Sequence, residues 1–259
     1  MRIPIYQIDA FTDRLFRGNP AAVCVLERWL PDEQLTAIAG ENNVSETAFL
    51  VPQEGCYELR WFTPTVEVDL CGHATLAAGW AVLHRLEPGR EAVRFLTRSG
   101  DLTVQRRDDW LEMDFPARPA EPAQPPPGLV DALGPAPREL WKARDYMAVY
   151  EAEEQVRELQ PDMAALSRVE MFALIVTAPG REVDFVSRFF APAVGVPEDP
   201  VTGSAHCTLT PYWAQRLAKS VLRARQLSRR GGELVCELRG ERVMLRGQAV
   251  LYLEGYSYV

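Results

Sequence analysis

The chain has 259 residues, 47% of them hydrophobic and 25% charged, enough for two domains of about 120 to 130 residues, each able to bury its own core. The 36 acidic residues outnumber the 28 basic ones, giving a net charge of −8 without long runs, which argues against a nucleic-acid or anionic-membrane partner. The longest plainly apolar stretch, Ala74 to Leu83, is too short to span a bilayer, and no leader-like segment opens the chain, so a cytoplasmic location is expected. Five scattered cysteines, an odd number without CxxC spacing, fit reduced thiols rather than a disulfide framework or a zinc site.

Along the chain, residues 3–11 alternate as a half-buried strand does, Gly18-Asn19-Pro20 is a turn, and residues 21–26 read as a buried strand. Asp32 to Ala39 has helical spacing. Residues 46–51 and 59–62 are expected strands. Gly72 to Leu86 is a largely uncharged helix, apolar nearly all round, and such a helix belongs inside its own sheet. Residues 91–95, 100–105 and 110–115 supply further strands. Six prolines between Pro116 and Pro127 suit neither a helix nor a central strand, so this segment reads as a linker. It divides an N-terminal lobe, 1–115, from a C-terminal lobe, 128–259, whose final strands are candidates to pair back onto the first lobe. In the second lobe, strands are expected at 146–150, 171–177, 185–190, 234–238, 243–245 and 248–252. A short helix is expected at 162–166 and a longer one from Cys207 to Leu217, with Pro211 in its first turns or kinking it.

The chain also repeats itself. Arg60-Trp61-Phe62-Thr63-Pro64-Thr65-Val66-Glu67-Val68 is echoed by Arg188-Phe189-Phe190-Ala191-Pro192-Ala193-Val194-Gly195-Val196, five of nine positions matching without a gap. Each copy runs on to a Gly-led apolar segment, starting at Gly72 in the first and Gly203 in the second. A repeat of this length implies a duplicated domain, and two similar lobes make a cleft between them. The expected class is α+β, two pseudo-symmetric lobes, each a curved sheet around a central helix.

The repeat supplies two helix starts, Cys71-Gly72-His73 and Thr202-Gly203-Ser204, whose free N–H groups suit a carboxylate or a developing oxyanion. The plainer alternative is that the glycines only let a strand turn tightly into a helix. His73, in a first turn, sits where the helix dipole disfavours its protonation, and it suits proton shuttling or a buried neutral role. His84 suits a favourable charge at a helix end, and His206 leaves both readings open. Glu46, in the polar triplet Ser45-Glu46-Thr47 before an apolar strand, is either a mobile base or a turn cap. Asp199 is either a site residue or a cap for the second helix.

Several motifs in order, Gly18-Asn19-Pro20-Ala21-Ala22-Val23, Ser45-Glu46-Thr47-Ala48-Phe49, Phe62-Thr63-Pro64 with Cys71-Gly72-His73-Ala74-Thr75, and Glu198-Asp199-Pro200-Val201-Thr202-Gly203-Ser204-Ala205-His206, resemble the PhzF family of phenazine-biosynthesis-like proteins. The resemblance implies the diaminopimelate epimerase-like fold, a homodimer, and a metal-free, cofactor-free isomerase of a small anionic substrate such as a dihydro-hydroxyanthranilate. It implies that Glu46 carries the proton while His73, Asp199 and Ser204 line the substrate. Asn19, Gly72 and Gly203 are further expected substrate contacts. Two-thiol racemases of this fold carry a cysteine at each central helix start. Here Cys71 holds one position but Thr202 holds the other, while Cys207 is expected to pack in its helix. The alternatives are a racemase or epimerase using Cys71, and a non-catalytic ligand-binding member of the fold.

Overall fold

A computed structural model describes all 259 residues, Met1–Val259, as two compact units, one of Met1–Asp114 with Arg246–Val259 and one of Phe115–Leu245. In the first unit, β1 (Arg2–Ala10), β2 (Asn19–Val25), β3 (Glu46–Gln53), β4 (Cys56–Phe62), β5 (Glu67–Val68), β6 (Ala92–Thr97), β7 (Gly100–Arg107) and β8 (Trp110–Pro116) form a sheet. Its pairing runs antiparallel β1–β2, parallel β2–β3, antiparallel β3–β4, parallel β4–β6 and antiparallel β6–β7–β8, with β5 a short antiparallel partner of β4.

Two helices cover this sheet. Side chains alternate along a strand, so Cys24, Phe49 and Val51 share one face, where they pack with Leu35, Ile38 and Ala39 of α1 (Asp32–Asn42). The other face meets α2 (Gly72–Ala81), whose residues from His73 to Gly79 are all buried, as its uncharged sequence requires. Gly79 lets α2 approach β7, since a Cβ there would lie 2.5 Å from a Val104 methyl carbon. Beyond Ala81 the helix widens into a π-turn, Val82–Leu86.

The second unit holds β9 (Glu121–Pro122), β10 (Glu139–Lys142), β11 (Tyr146–Val149), β12 (Leu174–Pro179), β13 (Phe185–Phe190), β14 (Val221–Gln226), β15 (Gly232–Arg239) and β16 (Arg242–Gly247), the last running across the boundary to the first unit. Its pairing is antiparallel β9–β10–β11, parallel β11–β12, antiparallel β12–β13, parallel β13–β14 and antiparallel β14–β15. From β1 and β10 onward the two units therefore repeat one order of parallel and antiparallel steps. Three short helices, α3 (Leu129–Leu133), α4 (Glu153–Glu158) and α5 (Met163–Leu166), close over Leu174, Val176, Val186 and Phe190, and the long α6 (Gly203–Leu217) is the counterpart of α2. The repeated arginines behave alike: Arg60 pairs through two nitrogens with Glu67 and lies over the Phe62 ring, and Arg188 does the same with Glu198 and Phe190.

Two expected boundaries need correction, and the final strand pairs back onto the first unit as the sequence allowed. The proline-rich segment 116–127 belongs to the second unit, because Glu121–Pro122 pairs with β10 and Ala117 donates its backbone N–H to the Glu241 carbonyl. The strand Ala249–Tyr258 is antiparallel to β1 through its whole length, so residues 246–259 belong to the first unit. The helix expected over Cys207 to Leu217 begins earlier, at Gly203, the Gly-led start that the repeat implied, which leaves Pro211 in its middle. Proline has no N–H to give the carbonyl of Cys207, and the backbone N–H of Arg118 fills that place at 2.9 Å.

Candidate active site

The period of a strand decides what meets the start of α2. Asn19 on β2 and Glu46 on β3 lie on the face away from Cys24 and Phe49, and the parallel register sets Ala21 opposite Glu46, which brings both strand starts to the same end of the sheet. Gly18 makes the approach possible. Its φ is +64°, and a Cβ there would stand 2.1 Å from the Ala10 carbonyl oxygen. On the other side, Asn43 ends α1 in the left-handed region and turns the chain into Ser45 and Glu46.

At the centre is His73, 4% exposed. Its Nε2 lies 3.1 Å from Glu46 Oε2, a close charge contact whose geometry is not that of an aligned hydrogen bond, so both atoms keep an unused bonding direction. Its Nδ1 lies 3.2 Å from the Asn19 amide nitrogen and 3.5 Å from Cys71 Sγ. Ser45, which the motif reading did not single out, donates its hydroxyl to Asn19 Oδ1 at 3.2 Å. Glu46 Oε2 caps no backbone group, so the turn-cap alternative falls away.

The electrostatics follow from these neighbours. Burial opposes a charge on His73, but Cys71 and Glu46 beside it outweigh burial and hold its pKa well above the ordinary histidine value. The Cys71 thiol is itself pushed up by burial and by the charge of Glu46, so at neutral pH it stays protonated and Glu46 is the partner that keeps the proton on the imidazole. The helix dipole alone was expected to disfavour that proton; a carboxylate at contact distance prevails over partial charges spread across a helix end. An imidazolium asks one adjustment of its surroundings: Asn19 turns its amide to present oxygen to Nδ1, and the Ser45 hydroxyl accepts instead of donating.

In the second unit, Thr202 is the N-cap of α6 as Cys71 is of α2, which makes the two the counterparts that the repeat implied. Asp199 does not cap α6 with its side chain. It accepts the Thr202 hydroxyl, while Gln226 accepts the Thr202 N–H at 2.9 Å and donates to the Asp199 carbonyl at 2.8 Å. Gly203 and Ser204 open the helix, and Ser204 Oγ receives Arg144 Nη2 at 3.4 Å, Arg144 being held by both oxygens of the buried Asp145. Neither Gln226 nor Arg144 carries a local sequence signal, since each acts through a partner distant in the chain.

The remaining candidates are structural. His206 donates Nδ1–H to the Thr202 carbonyl at 2.8 Å and packs against Phe185, and burial lowers its pKa to about 4. His84, expected to carry a helix-end charge, is instead held below its ordinary pKa by burial and by Arg106 and Arg85, and stacks on Trp80. Cys207 is buried with its thiol pushed up to about 12, as expected of a packing cysteine.

The repeat also shows what the second unit lacks. Thr47 pairs with Phe62, and Leu174 with Phe190, the counterpart of Phe62. Ala173, fully buried, therefore occupies the position of Glu46. The site's carboxyl occurs once in a molecule built from two copies of one plan.

The doubled α+β plan, a sheet around a buried helix repeated in each unit, is the diaminopimelate epimerase-like fold. It is shared at a TM-score of 0.65 and 10% identity with a hydroxyproline epimerase of Agrobacterium vitis, over 99% of this chain and 91% of that one. The chain belongs to the PhzC-PhzF family of phenazine biosynthesis-like proteins, whose model matches residues 8–128 and 135–255. It is 55% identical over 255 residues, 98% of each chain, to a protein of Pseudomonas aeruginosa named an uncharacterized isomerase. It superposes at a TM-score of 0.97 and 45% identity on a PhzF-family phenazine biosynthesis protein of Enterococcus faecalis, covering 100% of both chains. No helix is long and apolar enough to cross a membrane.

Proposed function

We propose that this chain is a cofactor-independent isomerase that moves a proton between two carbons of a small anionic substrate, with Glu46 as the single proton carrier. The observation that carries the reading is the Glu46–His73 contact at 3.1 Å together with the absence of a second carboxyl at Ala173. Glu46 takes a proton from an activated carbon and returns it to another on the same face, a path open to one carboxyl. As it does so its negative charge passes to the substrate. The His73 imidazolium, already at contact distance, then balances the charge that develops there. The N–H groups of Gly72 and His73 at the start of α2 are assigned to the substrate anion. Asn19, fixed through Ser45, orients His73, and Asp199 is held at the start of α6 through Thr202 and Gln226. A homodimer, and a cytoplasmic location, complete the proposal on the family resemblance.

The test is proton exchange in deuterated water followed by NMR, with dihydro-hydroxyanthranilate and a panel of small amino and hydroxy acids. Deuterium should enter one compound with the native chain and fail to enter with Glu46→Gln, which keeps the shape of the side chain. Equal exchange in both would remove Glu46 from the mechanism. No exchange of any compound by the native chain would favour the ligand-binding reading. A racemase working through Cys71 is disfavoured by the raised pKa of that buried thiol and by the threonine at its counterpart position.

A further inference from the structure

The two units place different chemistry at the same point of one plan. In the first, the start of β2 brings Asn19 to His73, the second residue of α2, and Glu46 comes up beside it. In the second, the counterparts of His73 and Glu46 are Ser204, the second residue of α6, and Ala173. The loop before β11 sends Arg144 to that place, with Nη2 3.4 Å from Ser204 Oγ. Beside it stands Phe172, next to Ala173 in the chain, 49% exposed and with the Arg144 guanidinium 4.8 Å from the centre of its ring.

The hydrogen bonds of Arg144 leave donors in hand. Nε and Nη2 are taken by the two oxygens of Asp145, which is buried and fixes the plane of the guanidinium. Nη1 donates to no protein group, and Ser204, which receives Nη2, keeps its own hydroxyl proton to give. Asp199, the other carboxylate at this helix start, is engaged by the Thr202 hydroxyl. Ser204 and Cys207, three apart, share a face of α6, and Arg118 meets that face with its backbone N–H on the Cys207 carbonyl. Arg118 Nη1 is buried without a hydrogen-bond partner. A buried guanidinium nitrogen left unpaired is costly, and an anion is the group that relieves it. The charges of Arg118, Arg144 and Arg242 all bear on the Cys207 thiol, and the dipole at the start of α6 adds to them.

We propose that Arg144, Ser204 and Phe172 form an oxyanion site belonging to the second unit, which takes a carboxylate or phosphate group carried on a flat ring. Arg144 Nη1 and the Ser204 hydroxyl donate to the oxyanion, Phe172 stacks on the ring, and Arg118 supplies further positive charge.

The test uses four probes on the full chain: benzoate, phenyl phosphate, inorganic phosphate and benzamide, which copies benzoate without its charge. Binding is followed by calorimetry and by the NMR signals of the Arg144 Nε–H and the Phe172 ring. At least one aryl anion should bind in a single saturable step that moves both signals, and benzamide should not; the tighter of the two anions identifies the group the site is built for. Arg144→Gln should weaken that binding by more than about tenfold. Arg144→Lys, which keeps a charge beside the buried Asp145 and so guards the fold, should still weaken benzoate, because an ammonium has no planar fork. Phe172→Ala, at an exposed position, should weaken phenyl phosphate and leave inorganic phosphate unchanged. Benzamide binding as tightly as benzoate would remove the arginine from recognition. Anion affinity unchanged in Arg144→Gln, or in Arg144→Lys where the first variant fails to fold, would overturn the site, as would a native chain that binds none of the probes. No turnover is measured, so the result is independent of the role given to Glu46.

Discussion

At the scale of single residues, the chain holds three histidines in three different electrical situations. His73 gains a carboxylate and keeps its proton; His84 meets two arginines and gives its proton up; His206 is enclosed by apolar surface and stays neutral. The last has a consequence for stability. A folded-state pKa of about 4 against an ordinary value of 6.5 means that the unfolded chain binds the extra proton first as the solution is acidified. The folded state should therefore lose up to roughly 3 kcal/mol between pH 6.5 and 4, on top of any carboxylate effects. Denaturant unfolding at stepped pH should show a shallower fall across that window in His206→Gln than in the native chain. His73 works with the opposite sign: its raised pKa lends stability in full below 6.5 and withdraws it as pH rises through the folded-state value. Cys71 separates the mechanisms. As a protonated thiol it takes no proton at neutral pH, so Cys71→Ala should keep kcat within about tenfold of the native value in a turnover assay, whereas a thiol-based racemase would lose nearly everything.

At the scale of elements, the site depends on two strands beginning at the right place. Gly18 sets the start of β2 by taking a left-handed conformation against the Ala10 carbonyl, and Gly18→Ala should cost about 2–3 kcal/mol in denaturant unfolding. It should also lower activity beyond the stability loss, because Asn19 is the next residue. Much of this was legible in the sequence: the period of β2 and β3, the uncharged length of α2 and the Gly-led helix starts all follow from local pattern. What was not legible depends on partners distant in the chain. The proline in the middle of α6 looked like a helix start because the sequence does not show that Arg118, far upstream, supplies the missing N–H. Glu46 read from its local sequence more like a turn cap, because nothing near it announces His73. Ser45, Gln226 and Arg144 have no local signature at all, each being a polar residue whose role is fixed by the atom it meets.

At the scale of the whole molecule, two copies of one plan with the carboxyl in only one of them account for the proposed chemistry. Both units keep the strand order, the buried helix and the arginine–glutamate pair, while the carboxyl at Glu46 and the alanine at Ala173 make them unequal. The proline run begins where the unit changes, between Asp114 and Phe115, but its pairing with β10 was not legible in the sequence, because strand pairing is not local. The terminal strand can be tested directly. A chain ending at Leu245 strips β1 of one of its two partners, the strand that pairs it along the whole register from Arg2 to Ala10, and leaves it β2 alone. Such a chain should lose the amide hydrogen-exchange protection of residues 2–10 and 19–25, while the protection of 174–179 and 185–190 persists.

The same strand sets an order of events during synthesis. The residues that finish the first unit leave the ribosome after the whole of the second unit, which is one uninterrupted segment, complete when Leu245 emerges. The usual sequence of N-terminal folding first is therefore reversed, and the sheet that carries Asn19 and Glu46 waits, one edge unfilled, until residues 249–258 have emerged. A ribosome that stalls late leaves the proposed proton carrier on an incomplete sheet, so the length of the nascent chain itself decides when chemistry begins.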